Sequence, residues 1–129
     1  MLADALSFAG QPEKAIGLME KAMRLNPQYA GDWYVFVLGR SYARMGRYQE
    51  ATAAFKRLLA RNPDHLGAHL DLAAIYSGSG QEEEARAEAA EVLRLNPDLS
   101  LEGLRQRLPF KDPTALDRYL DALRKAGLQ

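Results

Sequence analysis

The stretch Gly39–Pro63, GRSYARMGRYQEATAAFKRLLARNP, reads as two antiparallel helices joined by a tight turn at Gly46. Gly39 and Ala51 are small, so two helix backbones can approach where Leu or Phe would hold them apart. Tyr42 and Phe55 are large and are expected to fill the space on either side of that crossing. Pro63 has no amide hydrogen and a fixed φ, so the second helix must end just before it. Ala51, Ala54, Phe55, Leu58 and Leu59 are spaced as one helical stripe.

Outward from this stretch the same markers return. Leu25-Asn26-Pro27, Arg61-Asn62-Pro63 and Leu95-Asn96-Pro97 each close a helical stretch, with the prolines 36 and 34 residues apart. Gly10, Gly46 and Gly80 follow the same steps, and so do Ala15, Ala51 and Ala85. Three markers moving together argue for an internal repeat. The two extra residues fall between Pro27 and Gly39, in QYAGDWYVFVL, at the start of the second repeat.

The order Val35-x2-Leu38-Gly39-x2-Tyr42, then Ala51-x3-Phe55, then Pro63, resembles the tetratricopeptide repeat, whose pattern has an aromatic residue where Val35 stands. The resemblance implies an all-α fold, a TPR-like right-handed α-α superhelix of three helix-turn-helix repeats followed by two C-terminal capping helices. The repeats are expected at about residues 1–27, 30–63 and 64–97, and the capping helices at about 99–127, in a single domain over 1–129. The first repeat lacks the aromatic position that should precede Leu2, Ala3 and Leu6, so its leading helix is expected to be shortened. Its second helix, from about Pro12 to Leu25, buries Ala15, Ile16, Met19, Ala22 and Met23 on one face. In the third repeat His69 replaces the leading aromatic and Ala89 the second large residue, which predicts looser packing there.

Trp33 to Leu38, WYVFVL, would score as a strand on propensity alone. The repeat register makes it the start of a first helix, and such helices touch neighbours around most of their circumference. After Pro97 the period stops. Leu101, Leu104 and Leu108 make one short apolar seam, and Leu116, Tyr119, Leu120 and Leu123 make a second, opened by Asp112 as N-cap and Pro113 in the first turn, and ended at Gly127. These helices are expected to cover the exposed face of the third repeat. The tail from Leu108 through Asp112-Pro113 to Leu128 is also similar to the C-terminal end of bacterial class III adenylate cyclases with C-terminal TPR arrays. That resemblance implies a regulatory fragment and transfers no catalytic residue.

Composition bounds the function. The 129 residues suit one domain with a continuous core. Lys+Arg 17 against Asp+Glu 17 gives a formal net charge of +0, so no global field favours nucleic acid or an acidic membrane. With Cys 0 there is no disulfide, thiolate metal site or thiol nucleophile. The opening MLADALSFAGQPEKA has neither a long apolar run nor a signal-peptide pattern, so the expected location is the cytoplasm. His65 and His69 are four apart, a spacing that can share a metal on a helix, but no third ligand type supports them. Gly78-Ser79-Gly80 has no following Lys and is not a phosphate loop. No nucleophile, base and orienting acid occur together, so no active site and no cofactor are expected.

The family resemblance implies a ligand along a concave surface made mainly by the first helix of each repeat. By position, the groove candidates are Asp4, Ser7 and Phe8; Trp33, Phe36, Arg40, Ala43 and Arg44; and Leu70, Ala74 and Ser77. Phe36 beside Arg40 and Arg44 offers an apolar anchor with two guanidinium groups a helical turn apart, which suits a protein or peptide ligand of acidic or C-terminal character. The competing reading makes Arg40 and Arg44 a solvated helix edge paired with Asp4, Asp71 or a nearby Glu. The Lys and Asn residues of the chaperone-binding clamp are absent at these places. A further expectation is self-association, a homodimer through the shortened N-terminal end, or docking within a larger regulator.

Overall fold

The computed structural model describes residues 14, 17, 18, 20, 21, 31–108 and 112–129. The chain divides into two compact units, Met1–Pro63 and Asp64–Gln129. Six helices and no strands occur among the described residues. The Pro12–Leu25 helix and the shortened leading helix fall largely outside those residues, as do Asp4, Ser7 and Phe8.

In the first unit, α1 (Asp32–Arg44) packs against α2 (Tyr48–Arg61). The WYVFVL segment is helical throughout, because its side chains are used on several faces: Val35, Val37 and Leu38 are buried while Trp33, Tyr34 and Phe36 are half-buried. A strand would need a paired edge for its backbone, whereas a helix satisfies its own amides. Ala51, Phe55 and Leu58 are each fully buried on α2, as the stripe predicts.

What occupies the space over Gly39 is the ring of Phe55. A Cβ on Gly39 would lie 2.8 Å from Phe55 Cε1 and 2.9 Å from Cζ. Thirty-four residues on, the pair becomes Ala73 and Ala89, both buried. Where the ring is gone, a methyl fits in the opposite helix. Tyr42, expected in the core, is instead half-buried with its Oη donating to Glu20 Oε1 at 3.0 Å, while its counterpart Tyr76 is buried.

The second unit contains α3 (Leu66–Gly78), α4 (Glu82–Leu95), α5 (Leu101–Arg107) and α6 (Pro113–Lys125). α3 packs against α4 and also against α6, and α5 packs against α6. With partners on two sides, α3 buries almost every position from Ala68 to Tyr76, Ala74 excepted. Of the two C-terminal helices, α6 packs on α3 and buries Leu116, Leu120 and Leu123, while α5 packs on α6.

The turns explain the recurring glycines. α1, α3 and α6 each end in a residue followed by glycine at positive φ: 79° at Gly46, 77° at Gly80 and 112° at Gly127. In each case two backbone bonds close the end, for example Arg47 N to Tyr42 O at 2.9 Å and Gly46 N to Ala43 O at 3.1 Å. This double closure needs a left-handed residue, which glycine adopts without a Cβ clash. The tail also folds back: Leu128 is buried and the Gln129 carbonyl accepts from the Leu101 amide at 3.1 Å.

Candidate functional site

α1 brings three of the predicted ligand residues onto successive turns. Phe36 and Arg40 are four apart on one helix face, and the Arg40 guanidinium carbon lies 4.3 Å from the centre of the Phe36 ring. The same ring meets Phe55 of α2 at 5.9 Å, tilted by 59°, so the core side holds the plate on which Arg40 rests. Stacking of this kind is worth ~0.5–1 kcal/mol at an exposed site. Arg44 stands one turn further along, half-buried in the last turn of α1, where a cation opposes the negative end of the helix dipole.

Trp33 is half-buried at the start of α1, packed edge-on to Tyr34 with ring centres 5.0 Å apart. Ala43 is half-buried between Arg40 and Arg44 on the chain. Near the turn, Arg47 stacks 4.7 Å over Tyr42 and pairs with Glu50. Burial, followed by the hydrogen bond to Glu20, pushes the Tyr42 phenol above its ordinary titration range. In the second unit Ala74 and Ser77 are half-buried on α3, but Leu70 is only 5% exposed and belongs to the packed core. The spacing that marks Leu70 as groove-facing does not register its burial.

The two histidines serve structural ends. His65 is the N-cap of α3, its Nδ1 accepting from the Ala68 amide at 3.1 Å. His69 is buried, with Nδ1 2.5 Å from Glu88 Oε2 on α4. Among the described residues no group of three or more His, Cys, Asp or Glu could hold a metal ion. Ala89, where looser packing is expected, is only 4% exposed. Asp71 carries the contact that sequence reasoning missed. It is 6% exposed on α3 and accepts from Tyr119 Oη of α6 at 2.6 Å. The signal for it was a carboxylate inside the apolar run Leu70 to Tyr76.

The helix pairs closed by glycine have a family counterpart: a tetratricopeptide repeat profile fits residues 42–108, and a second one fits residues 1–29. The chain belongs to the tetratricopeptide repeat family. MamA, known from a crystal structure, has the same fold: the TM-score is 0.70 at 20% identity, covering 97% of this chain and 72% of MamA. Two curated relatives share sequence with this tetratricopeptide repeat chain. It is 46% identical over 44 residues to "Putative adenylate cyclase 3" of Rhizobium meliloti (strain 1021), and 34% identical over 80 residues to Superkiller protein 3 of Schizosaccharomyces pombe (strain 972 / ATCC 24843). These matches take in 34% and 62% of this chain, but only 8% and 6% of the relatives. The tetratricopeptide repeats support a protein-protein interaction scaffold. No helix among the described residues is long and apolar enough to cross a membrane.

Proposed function

We propose that the chain is a non-catalytic scaffold that binds a peptide or protein segment on the first helix of its repeats, with Phe36, Arg40 and Arg44 of α1 as the anchor. The observation that supports this reading is the Arg40 guanidinium stacked 4.3 Å over Phe36. A segment with a carboxylate next to an apolar side chain matches a ring and a delocalised cation held side by side, so the ligand is acidic or presents a chain terminus. Trp33 and Ala43 flank the anchor on α1, and Ala74 and Ser77 are the corresponding contacts on α3 in its own unit. Asp4, Ser7 and Phe8 are proposed for the first repeat by register alone. The setting is cytoplasmic, and neither nucleic acid nor membrane is a partner.

Fluorescence titration with an acidic peptide bearing a carboxyl terminus, on the parent and on the Arg40→Glu, Arg44→Glu double variant, tests the anchor. The reading expects affinity to fall at least about tenfold, since charge-assisted contacts become repulsive. Unchanged affinity with intact helical circular dichroism removes the anchor from α1.

A second reading makes the array a self-association or intramolecular docking module of a larger bacterial signalling protein of the adenylate cyclase kind. The 46% identity to a protein named as an adenylate cyclase, over a segment that is 8% of its length, favours it.

A further inference from the structure

The ring of Phe55 has no exposed surface, and the missing Cβ of Gly39 is what gives it room: a Cβ there would lie 2.8 Å from Phe55 Cε1. So placed, the ring meets Phe36 at 5.9 Å between centres, and the Arg40 guanidinium carbon stands 4.3 Å over Phe36. Gly39, Phe55, Phe36 and Arg40 thus form one column. It runs from the buried crossing of α1 and α2 to the half-buried anchor on α1.

The third repeat has none of this column. Thirty-four residues on, the positions of Phe36, Gly39, Arg40 and Phe55 hold Leu70, Ala73, Ala74 and Ala89. Ala73 and Ala89 are nevertheless buried, at 0% and 4% exposure, so a helix pair of this chain buries its crossing without a ring at that place. The core ring stands in the repeat that also carries the arginine. An aromatic pair has a preferred tilt that an aliphatic neighbour does not impose, and Phe36 meets Phe55 at 59°.

We propose that Phe55 is a positioning residue of the α1 ligand site: acting through Phe36, it sets where the Arg40 guanidinium stands, and so makes the second repeat the one that selects a carboxylate. This rests on the reading of α1 as the ligand surface. Arginine grips a carboxylate through two parallel N–H donors, so its selectivity depends on how the guanidinium plane is held and not on its charge alone. Phe55→Leu leaves every charge in place. It lets Phe36 tilt toward the core and leave the guanidinium, and selectivity falls while the cation remains.

The test uses the full chain and two peptides: an acidic one with a free carboxyl terminus, and its uncharged analogue with Asn and Gln for Asp and Glu and an amidated end. The ratio of the two affinities is expected to fall about two- to fivefold in Phe55→Leu, as when a cation loses its ring. In an Arg40→Met background the same substitution should leave the ratio unchanged. An unchanged ratio in the single variant, or an equal fall in both backgrounds, overturns the proposal, because Phe55 then serves the fold alone. A second measurement needs no ligand. The Arg40 Nε–H proton is expected upfield of its random-coil position in the parent, shielded by the Phe36 ring, and to move back in Phe55→Leu. A random-coil position in the parent, or no movement in a variant with intact helical circular dichroism, also overturns it. Should Phe55→Leu not fold, Phe55→Met, whose flexible chain fills irregular space, carries the same comparisons. A parent chain that binds neither peptide overturns the ligand reading itself and this assignment with it, an outcome the parent titration separates from failure of the column.

Discussion

At the scale of single residues, the contact between Gly39 and Phe55 shows how one side chain dictates another. Adding a methyl to a helical glycine ordinarily stabilises by up to about 1 kcal/mol through backbone entropy. Here the methyl carbon would sit under 3 Å from a ring that has no exposed surface and so no room to swing away. Overpacking costs about 1–3 kcal/mol and outweighs the helix gain. Gly39→Ala is therefore expected to destabilise, read as a lower urea midpoint. The same change made in a Phe55→Ala background should be close to neutral, since the third repeat already lives with Ala73 opposite Ala89. A Gly39→Ala melt at or above the parent's would refute the close approach. The residue scale also separates similar-looking histidines: His65 closes a helix start and His69 meets a carboxylate across two helices, four positions apart.

At the scale of elements, three of the described helices start on a side-chain cap, a group that can be removed singly. Ser100 caps α5 by accepting from the Gly103 amide at 3.0 Å, and Asp112 caps α6 in the same manner. Asp112→Ala should cost roughly 1 kcal/mol, measured as a drop in chemical-denaturation stability, because a helix amide loses its acceptor. Asp112 also stands beside the positive end of the α6 dipole, so Asp112→Asn should retain most of the cap and lose only the charge part. If Asp112→Ala leaves stability unchanged, the cap seen on α6 contributes nothing to the fold in solution. Besides its capped ends, α3 has α4 on one side and α6 on another, and eight of its residues are buried.

At the scale of the whole molecule, a formal net charge of +0 leaves association to local surfaces, since no overall repulsion keeps copies apart. The self-association reading predicts that mass measured by light scattering rises from monomer toward dimer across a dilution series in the micromolar range. A constant monomer mass at the highest concentration would remove that reading and leave the ligand surface on α1 untouched. The repeat, its step of 34 to 36 residues and the all-α fold were legible in the chain because glycine, alanine and proline act locally: each limits its own φ or its own volume, whatever surrounds it. The helical state of Trp33–Leu38 was legible only through register, since its propensity favours a strand. The Phe36–Arg40 pair could be read from its spacing of four, because both residues belong to one helix. By itself, then, the sequence determined the elements, their turns and the pairing of neighbours within a repeat. Only the tertiary structure decided that Leu70 is core, that Asp71 meets Tyr119 and that His69 meets Glu88. The two polar contacts join residues 19 and 48 positions apart, and no local preference of a residue encodes that.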